Sequence, residues 1–291
     1  MNKKEFDRII RNNLVKVYGE SAFGYQSATV TKKYEDYYSK PEFDKFTTEM
    51  RINTPEVYKQ YFKGKGSELK EHSRGDVMLP PKMASVASSS RFAYLALSKG
   101  ADALIKSGIA EFEKGCCICG ISGTAPQLDA YIKEGGIYVE VKCHEIFDKH
   151  TIKLKDKYWT HIYENGNKFG LESNGKPTEE YFEIPNKVFG VEKEYTMFDI
   201  KQFICHLLGV SCQKEPSSTL MYLFFKPVSD NADEQKEINK LFDELKKEIS
   251  DIFNSYPVQN FINANNITLK AIAEESYTME TLNASNIVKL F

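Results

Sequence analysis

A disulfide scaffold, a membrane span and an excess of one charge are all missing from this sequence. Six cysteines in 291 residues are too few to staple a chain of this size, and they suit a reducing compartment. No apolar run approaches the roughly 18 residues that a membrane span requires, so no membrane partner is expected. The opening Met1-Asn2-Lys3-Lys4-Glu5 has no apolar stretch behind its charges. That speaks against a secretory signal and makes a cytoplasmic location the expectation. Internal repeats and low-complexity tracts are absent as well. The 39 Lys+Arg against 41 Asp+Glu leave a net charge of −2, which argues against a protein that coats nucleic acid non-specifically. Local basic patches remain compatible with it, because the field depends on charge distribution rather than the sum.

What is present describes an ordinary globular chain: 41% apolar, 13% aromatic and 27% charged residues. The length accommodates one large domain or a domain with an extension. Residues 1–80 read as a mainly helical N-terminal extension, in which Phe6, Ile9, Ile10, Leu14 and Val17 recur at helical spacing. Between Phe62 and Pro81, the residues Gly64, Gly66, Gly75, Pro80 and Pro81 mark a loop or boundary. Residues 81–291 read as the core with C-terminal helices. Ser88–Ser90 offer N-caps for a helix running through Phe92, Leu95 and Leu104 to about Gly108. Strands follow over Ile109–Ile118, Leu128–Ile132 and Ile137–Phe147, the last two joined by a Gly135-Gly136 turn. A polar stretch from about Asp148 to Glu194 holds Asn165-Gly166 and Asn174-Gly175 turn signals. Next come a helix from Phe198 to Leu208 capped by Gly209, a buried strand over Leu220–Phe225, and an amphipathic helix over Asp233–Phe253. The expected core order is helix, three-strand meander, helix, strand, helix, in an α/β fold.

The third strand carries the chemistry. Alternation puts Tyr138, Glu140, Lys142 and His144 on one face, and Ile137, Val139, Val141 and Cys143 on the other. Gln127, Asp129 and Tyr131 share a face of the preceding strand, so a tight turn lets Asp129 converge on Glu140. Two carboxylates are hard oxygen ligands suited to Mg²⁺, for which Mn²⁺ can substitute, and the Val141 carbonyl between them could add a third ligand. Lys142 would orient or deprotonate an attacking water, or stabilise the transition state as a cation.

Asp129 followed eleven positions later by Glu140-Val141-Lys142 resembles the PD-(D/E)xK nuclease signature. The order of elements between Ser88 and Pro227 is similar to the restriction-endonuclease-like fold. Pro80-Pro81-Lys82-Met83, Ser88-Ser89-Ser90-Arg91-Phe92 and Glu140–Glu145 look like a bacterial group of such nucleases. The resemblance implies metal-dependent hydrolysis of DNA phosphodiesters in restriction, defence or repair, with RNA left open as a substrate. Asp129 and Glu140 would be the ligands and Lys142 the catalytic lysine. The literal Pro-Asp dipeptide is missing, since Pro126 stands three residues before Asp129. Residues 88–106 lack the Glu that many members supply from the first core helix. Glu111, Glu113 or Glu145 are candidate substitutes, and His144 and Gln202 are further accessory candidates. Ser89, Ser90 and Arg91 at a helix start are candidates for binding a phosphate, although plain N-capping explains the serines equally well.

Cys116-Cys117-Ile118-Cys119 has one CxxC spacing and Cys143-His144 lies nearby, but no convincing second pair completes a zinc site. Cutting both strands of a duplex commonly recruits two active sites, which leaves a homodimer open. The rival to an enzyme is a non-catalytic nucleic-acid-binding or assembly protein that retains the fold.

Overall fold

Hydrophobic periodicity accounts for about half of the helices and strands of the computed structural model, which describes residues 1–64, 67–100, 110–118, 125–133, 135–148, 197–213 and 215–281. Helix α1 (Lys3–Tyr18) begins with a capping box, in which Asn2 and Glu5 satisfy each other's backbone N–H groups. It buries Phe6, Ile9, Ile10 and Leu14, whereas Val17 at the end of the expected stripe is 54% exposed. Strands β1 (Phe23–Tyr25) and β2 (Tyr34–Tyr38) pair antiparallel. Helices α2 (Lys40–Asn53) and α3 (Pro55–Lys63) follow, each with proline in its first turn. A hairpin of β3 (His72–Arg74) and β4 (Val77–Leu79) turns at Gly75, whose φ of +62° suits glycine. The first 80 residues are thus helical with two small antiparallel sheets. The sequence expectation missed both sheets, because strands of three to five residues are too short to register a period.

Helix α4 (Ser89–Gly100) leads into strands β5 (Ala110–Gly115), β6 (Gln127–Ile132) and β7 (Ile137–Lys142), an antiparallel meander. The rest of the helix expected to reach Gly108 lies outside the described residues, as do most of the polar stretch and its Asn-Gly signals. Gly135 and Gly136 both have positive φ and make the turn between β6 and β7. Strand β7 stops at Lys142 rather than Phe147, and a 3₁₀ turn over Glu145–Phe147 takes its place.

Helix α5 (Ile200–Ser211) runs through Gly209 instead of ending there. A Cβ on Gly209 would lie 2.8 Å from the carbonyl oxygen of Cys116, so this glycine serves close approach to the end of β5 rather than a cap. Strand β8 (Ser218–Pro227) lies parallel to β7, and Leu220–Phe225 is buried throughout. Helix α6 (Ala232–Phe253) buries Ile238, Phe242, Leu245, Ile249 and Ile252. The C-terminal part holds helix α7 (Tyr256–Asn265) and then a strand, β9 (Ile267–Ser276), where only helices were expected. The sheet order is β5-β6-β7-β8-β9, antiparallel in its first half and parallel in its second.

One buried cluster extends from Phe6 on α1 to Met279. The edge strand β5 is covered by α3, where Tyr61 packs on Phe112 at 5.4 Å and Gln60 Oε1 accepts from the Phe112 N–H at 2.7 Å. No helix among the described residues is long and apolar enough to cross a membrane.

Candidate functional site

Register brings three carboxylates to one level of the sheet. Phe112 pairs with Ala130 and Lys114 with Leu128, so Glu113 falls opposite Asp129. Ala130 pairs with Val139, so Asp129 falls opposite Glu140. Regular pairing is interrupted at this level. Glu113 has a left-handed backbone with φ of +53°. On the other side of Asp129, its Oδ2 accepts from the Val141 N–H at 2.7 Å, in place of a backbone carbonyl. The Val141 carbonyl leaves the strand on the same edge as its N–H, towards Asp129.

Glu140 is 4% exposed and tightly held. The Lys142 ammonium donates to Glu140 Oε1 at 2.6 Å and to Gln202 Oε1 at 2.7 Å. The Gln202 amide donates in turn to the same Glu140 oxygen at 2.9 Å. Gln202 reaches the site from the first turn of α5, where Asp199 Oδ1 caps the helix by accepting from the Gln202 N–H. Asp129 Oδ1 and Glu140 Oε2 take part in none of these bonds.

Two further residues belong here that the sequence reading did not name. His206 is buried, with Nε2–H donating to Gln127 O and the Tyr222 hydroxyl donating to Nδ1, both at 3.0 Å. Its Nε2 is 3.8 Å from Glu140 Oε2. Burial lowers its pKa more than Glu140 raises it, so the ring is neutral near pH 7. Glu68, from the loop before β3, is buried, hydrogen-bonds Ser90 and lies 3.5 Å from the Lys82 ammonium. No spacing rule connects Glu68 or His206 to a motif around residue 140.

The electrostatics follow from crowding acids in a dry place. Burial and then Glu140 push the Asp129 carboxyl well above its ordinary range. Burial, Glu68 and Glu140 raise Glu113 to about 7. Burial alone would lower the Lys142 ammonium, but Glu140, Glu145 and Asp129 outweigh it and hold the ammonium above its usual value. Lys142 is therefore a permanent cation at physiological pH. The carboxyls of Asp129 and Glu113 thus resist ionisation where they stand, and their oxygens could hold a hard cation such as Mg²⁺ or Mn²⁺.

The remaining sequence candidates lie apart from this row. Glu111 is paired with Lys114 and Lys133, whose ammonium groups lower its pKa. His144 stands beyond the end of β7 and bonds Asp7 of α1 through Nδ1 at 2.8 Å. Glu145 accepts from the Cys143 N–H at 2.7 Å and acts on Lys142 through its charge. Ser88, just before Ser89, caps α4 through Oγ and the Arg91 N–H at 3.2 Å. Arg91 is buried against Glu280 and two aromatic rings, which removes it from any phosphate at the helix start. Burial raises the Cys116 thiol to about 12, and its CxxC partner Cys119 lies outside the described residues.

Comparison with known proteins gave no matching family model, no matching curated protein and no matching solved structure.

Proposed function

We propose that this protein is a divalent-metal-dependent nuclease that hydrolyses DNA phosphodiester bonds on a restriction-endonuclease-like core. The observation that carries the reading is the junction of Asp129 and Glu140 on adjacent strands with Lys142 and Gln202 at hydrogen-bond distance. Asp129 Oδ1, Glu140 Oε2 and the Val141 carbonyl would hold the ion, with Glu113 as a third carboxylate in the row. A bound ion would neutralise charge on the phosphoryl group and acidify a water. Lys142, held protonated by its acidic neighbours, serves as a cation facing charge that develops on the phosphoryl oxygens, not as a base. Gln202 fixes the direction of both Lys142 and Glu140. Neutral His206 keeps a second positive charge away from the ligand carboxylate.

A second reading, a nucleic-acid-binding or assembly protein without catalysis, is favoured by a different observation. The Lys142 ammonium rests directly on Glu140, where a metal ion would otherwise lie.

The two readings separate in a cleavage assay on plasmid and linear DNA with Mg²⁺, Mn²⁺ or EDTA. The nuclease reading expects cleavage that EDTA abolishes, with losses of about 10²-fold or more in Asp129→Ala and Lys142→Ala. It also expects Mn²⁺ to raise the melting temperature of the wild type but not of Asp129→Ala. Undiminished cleavage in both variants would overturn the site. No cleavage together with no response to Mn²⁺ would favour the second reading.

A further inference from the structure

The two edges of the central sheet differ. α3 covers β5, whereas among the described residues no strand pairs with the outer edge of β9. Two backbone bonds fix which groups that edge offers. The Ser218 N–H donates to Asn266 O and the Val228 N–H to Ser276 O, both at 3.0 Å, so the even-numbered residues of β9 face β8. Leu269, Ala271, Ala273 and Glu275 therefore turn their own N–H and C=O groups outward. The register with β8 runs unbroken from Ile267 to Ser276, without a bulge or a proline. Ala271 and Ala273 are exposed and too small to hold a neighbouring strand away. An edge this long and regular is a template for one more strand.

The charges on β9 say which strand that is. Alternation puts Lys270, Ile272 and Glu274 on one face. Glu274 is half-buried, and burial alone acts on its carboxyl to raise its pKa, with no cation among the described residues offsetting it. A second copy placed by a twofold axis through Ile272 runs antiparallel to the first. It sets Ala271 against Ala273 and Leu269 against Glu275 as hydrogen-bonded pairs, all of them residues whose backbone faces outward. It also sets Lys270 against Glu274, twice over, in the pairs where side chains come closest. Moving the axis by one residue separates these charges, and moving it by two, onto Lys270 or Glu274, opposes like charges. Lys270 can join the pair while keeping contacts in its own chain, since an ammonium carries three donors.

We propose that β9 is a homodimerisation edge, which pairs antiparallel with β9 of a second copy of this chain about a twofold axis at Ile272. The same patch serves both copies, so the contact closes on itself and leaves no edge over. The sheet then runs without a break from β5 of one copy to β5 of the other. The outward backbone groups supply the attraction and the Lys270–Glu274 pairs set the register. That complementarity is to the sequence of β9 itself, which favours a second copy over a foreign strand. None of the residues in the carboxylate row lies on β9, and the proposal does not depend on the nuclease reading.

Sedimentation of the full chain in EDTA, from about 1 to about 200 µM and without nucleic acid, tests it. The expected result is a reversible shift from 33.3 kDa towards twice that mass. Hydrogen exchange at the highest concentration should newly protect the amides of Leu269, Ala271, Ala273 and Glu275. Those of Lys270, Ile272 and Glu274, which face β8, should not change. Ala273→Pro removes an outward donor only, and should abolish the dimer while the melting temperature of the dilute protein stays near that of the wild type. Lys270→Glu and Glu274→Lys should each weaken association about tenfold or more, and combining them should restore it. Asp129→Ala should dimerise like the wild type, which separates this outcome from that of the nuclease test. A monomer over the whole range would overturn the proposal. So would a dimer indifferent to Ala273→Pro, or one that the combined charge exchange fails to restore.

Discussion

Glu113 shows how much one residue's environment can alter. On an exposed strand it would ionise near 4.5, but burial with Glu68 and Glu140 around it raises that to about 7. The folded state therefore binds the proton more tightly than the unfolded chain. The resulting stabilisation is fully present below about pH 4.5 and is lost as pH rises through 7. A rise of that size corresponds to about 3 kcal/mol at most. In EDTA, Glu113→Gln should thus melt close to the wild type at pH 5 and clearly above it at pH 8.5. Parallel melting curves across that range would show that Glu113 keeps its ordinary acidity. Lys142 is the converse case, a cation whose removal leaves Glu140 buried without its partner. Lys142→Met should cost about 3–5 kcal/mol in denaturant unfolding, and adding Glu140→Gln should recover much of it.

Among the elements, α5 couples the core to the site. Its apolar side packs Phe203 against Tyr222 and Phe253, while its first turn presents Gln202 and its middle presents His206. The helix can lie this close only because position 209 has no side chain. Gly209→Ala would gain helix propensity, but its methyl would press on the backbone carbonyl of Cys116, which has no flexible end to swing away. A net loss of about 1–3 kcal/mol is expected in chemical denaturation, with some loss of any Gln202-dependent activity. A stabilised variant would show that α5 can slide. The strand elements reward a different reading of the same sequence. Alternation along residues 137–142 was legible and places Glu140 and Lys142 on one face, as observed. Where β7 would stop was not legible, because the turn at Glu145 is held by a side-chain bond to the Cys143 N–H that no periodicity announces.

For the whole molecule, the N-terminal 80 residues act as a working part of the core. Asn13 of α1 is buried and donates to the carbonyls of Val228 and Tyr277, at 2.6 and 2.9 Å. Asp7 holds His144, Gln60 caps the backbone of β5, and Glu68 stands at the carboxylate row. A fragment starting at residue 81 would expose Phe112, leave these polar groups unpaired and lose Glu68. It should lack a cooperative melting transition by circular dichroism, whereas the intact chain should unfold in one step. A fragment that melts cooperatively would show a separable core.

Short-range pattern determined α1, the elements from α4 to α6 and one face of the site. Alternation aligned Glu140 with Lys142, the Gly135-Gly136 turn made β6 and β7 neighbours, and helical stripes marked α1, α5 and α6. Those features depend on residues a few positions apart, whose geometry is set by the local backbone. Tertiary packing decided the rest. It brought Glu68 and His206 to the carboxylate row from more than sixty positions on either side of residue 140, and bound Gln202 to both Glu140 and Lys142. It also turned Arg91 away from the helix start and sealed it between Tyr38, Phe46 and Glu280. Such contacts depend on how buried surfaces dock, and the separation of two residues along the chain carries no information about that.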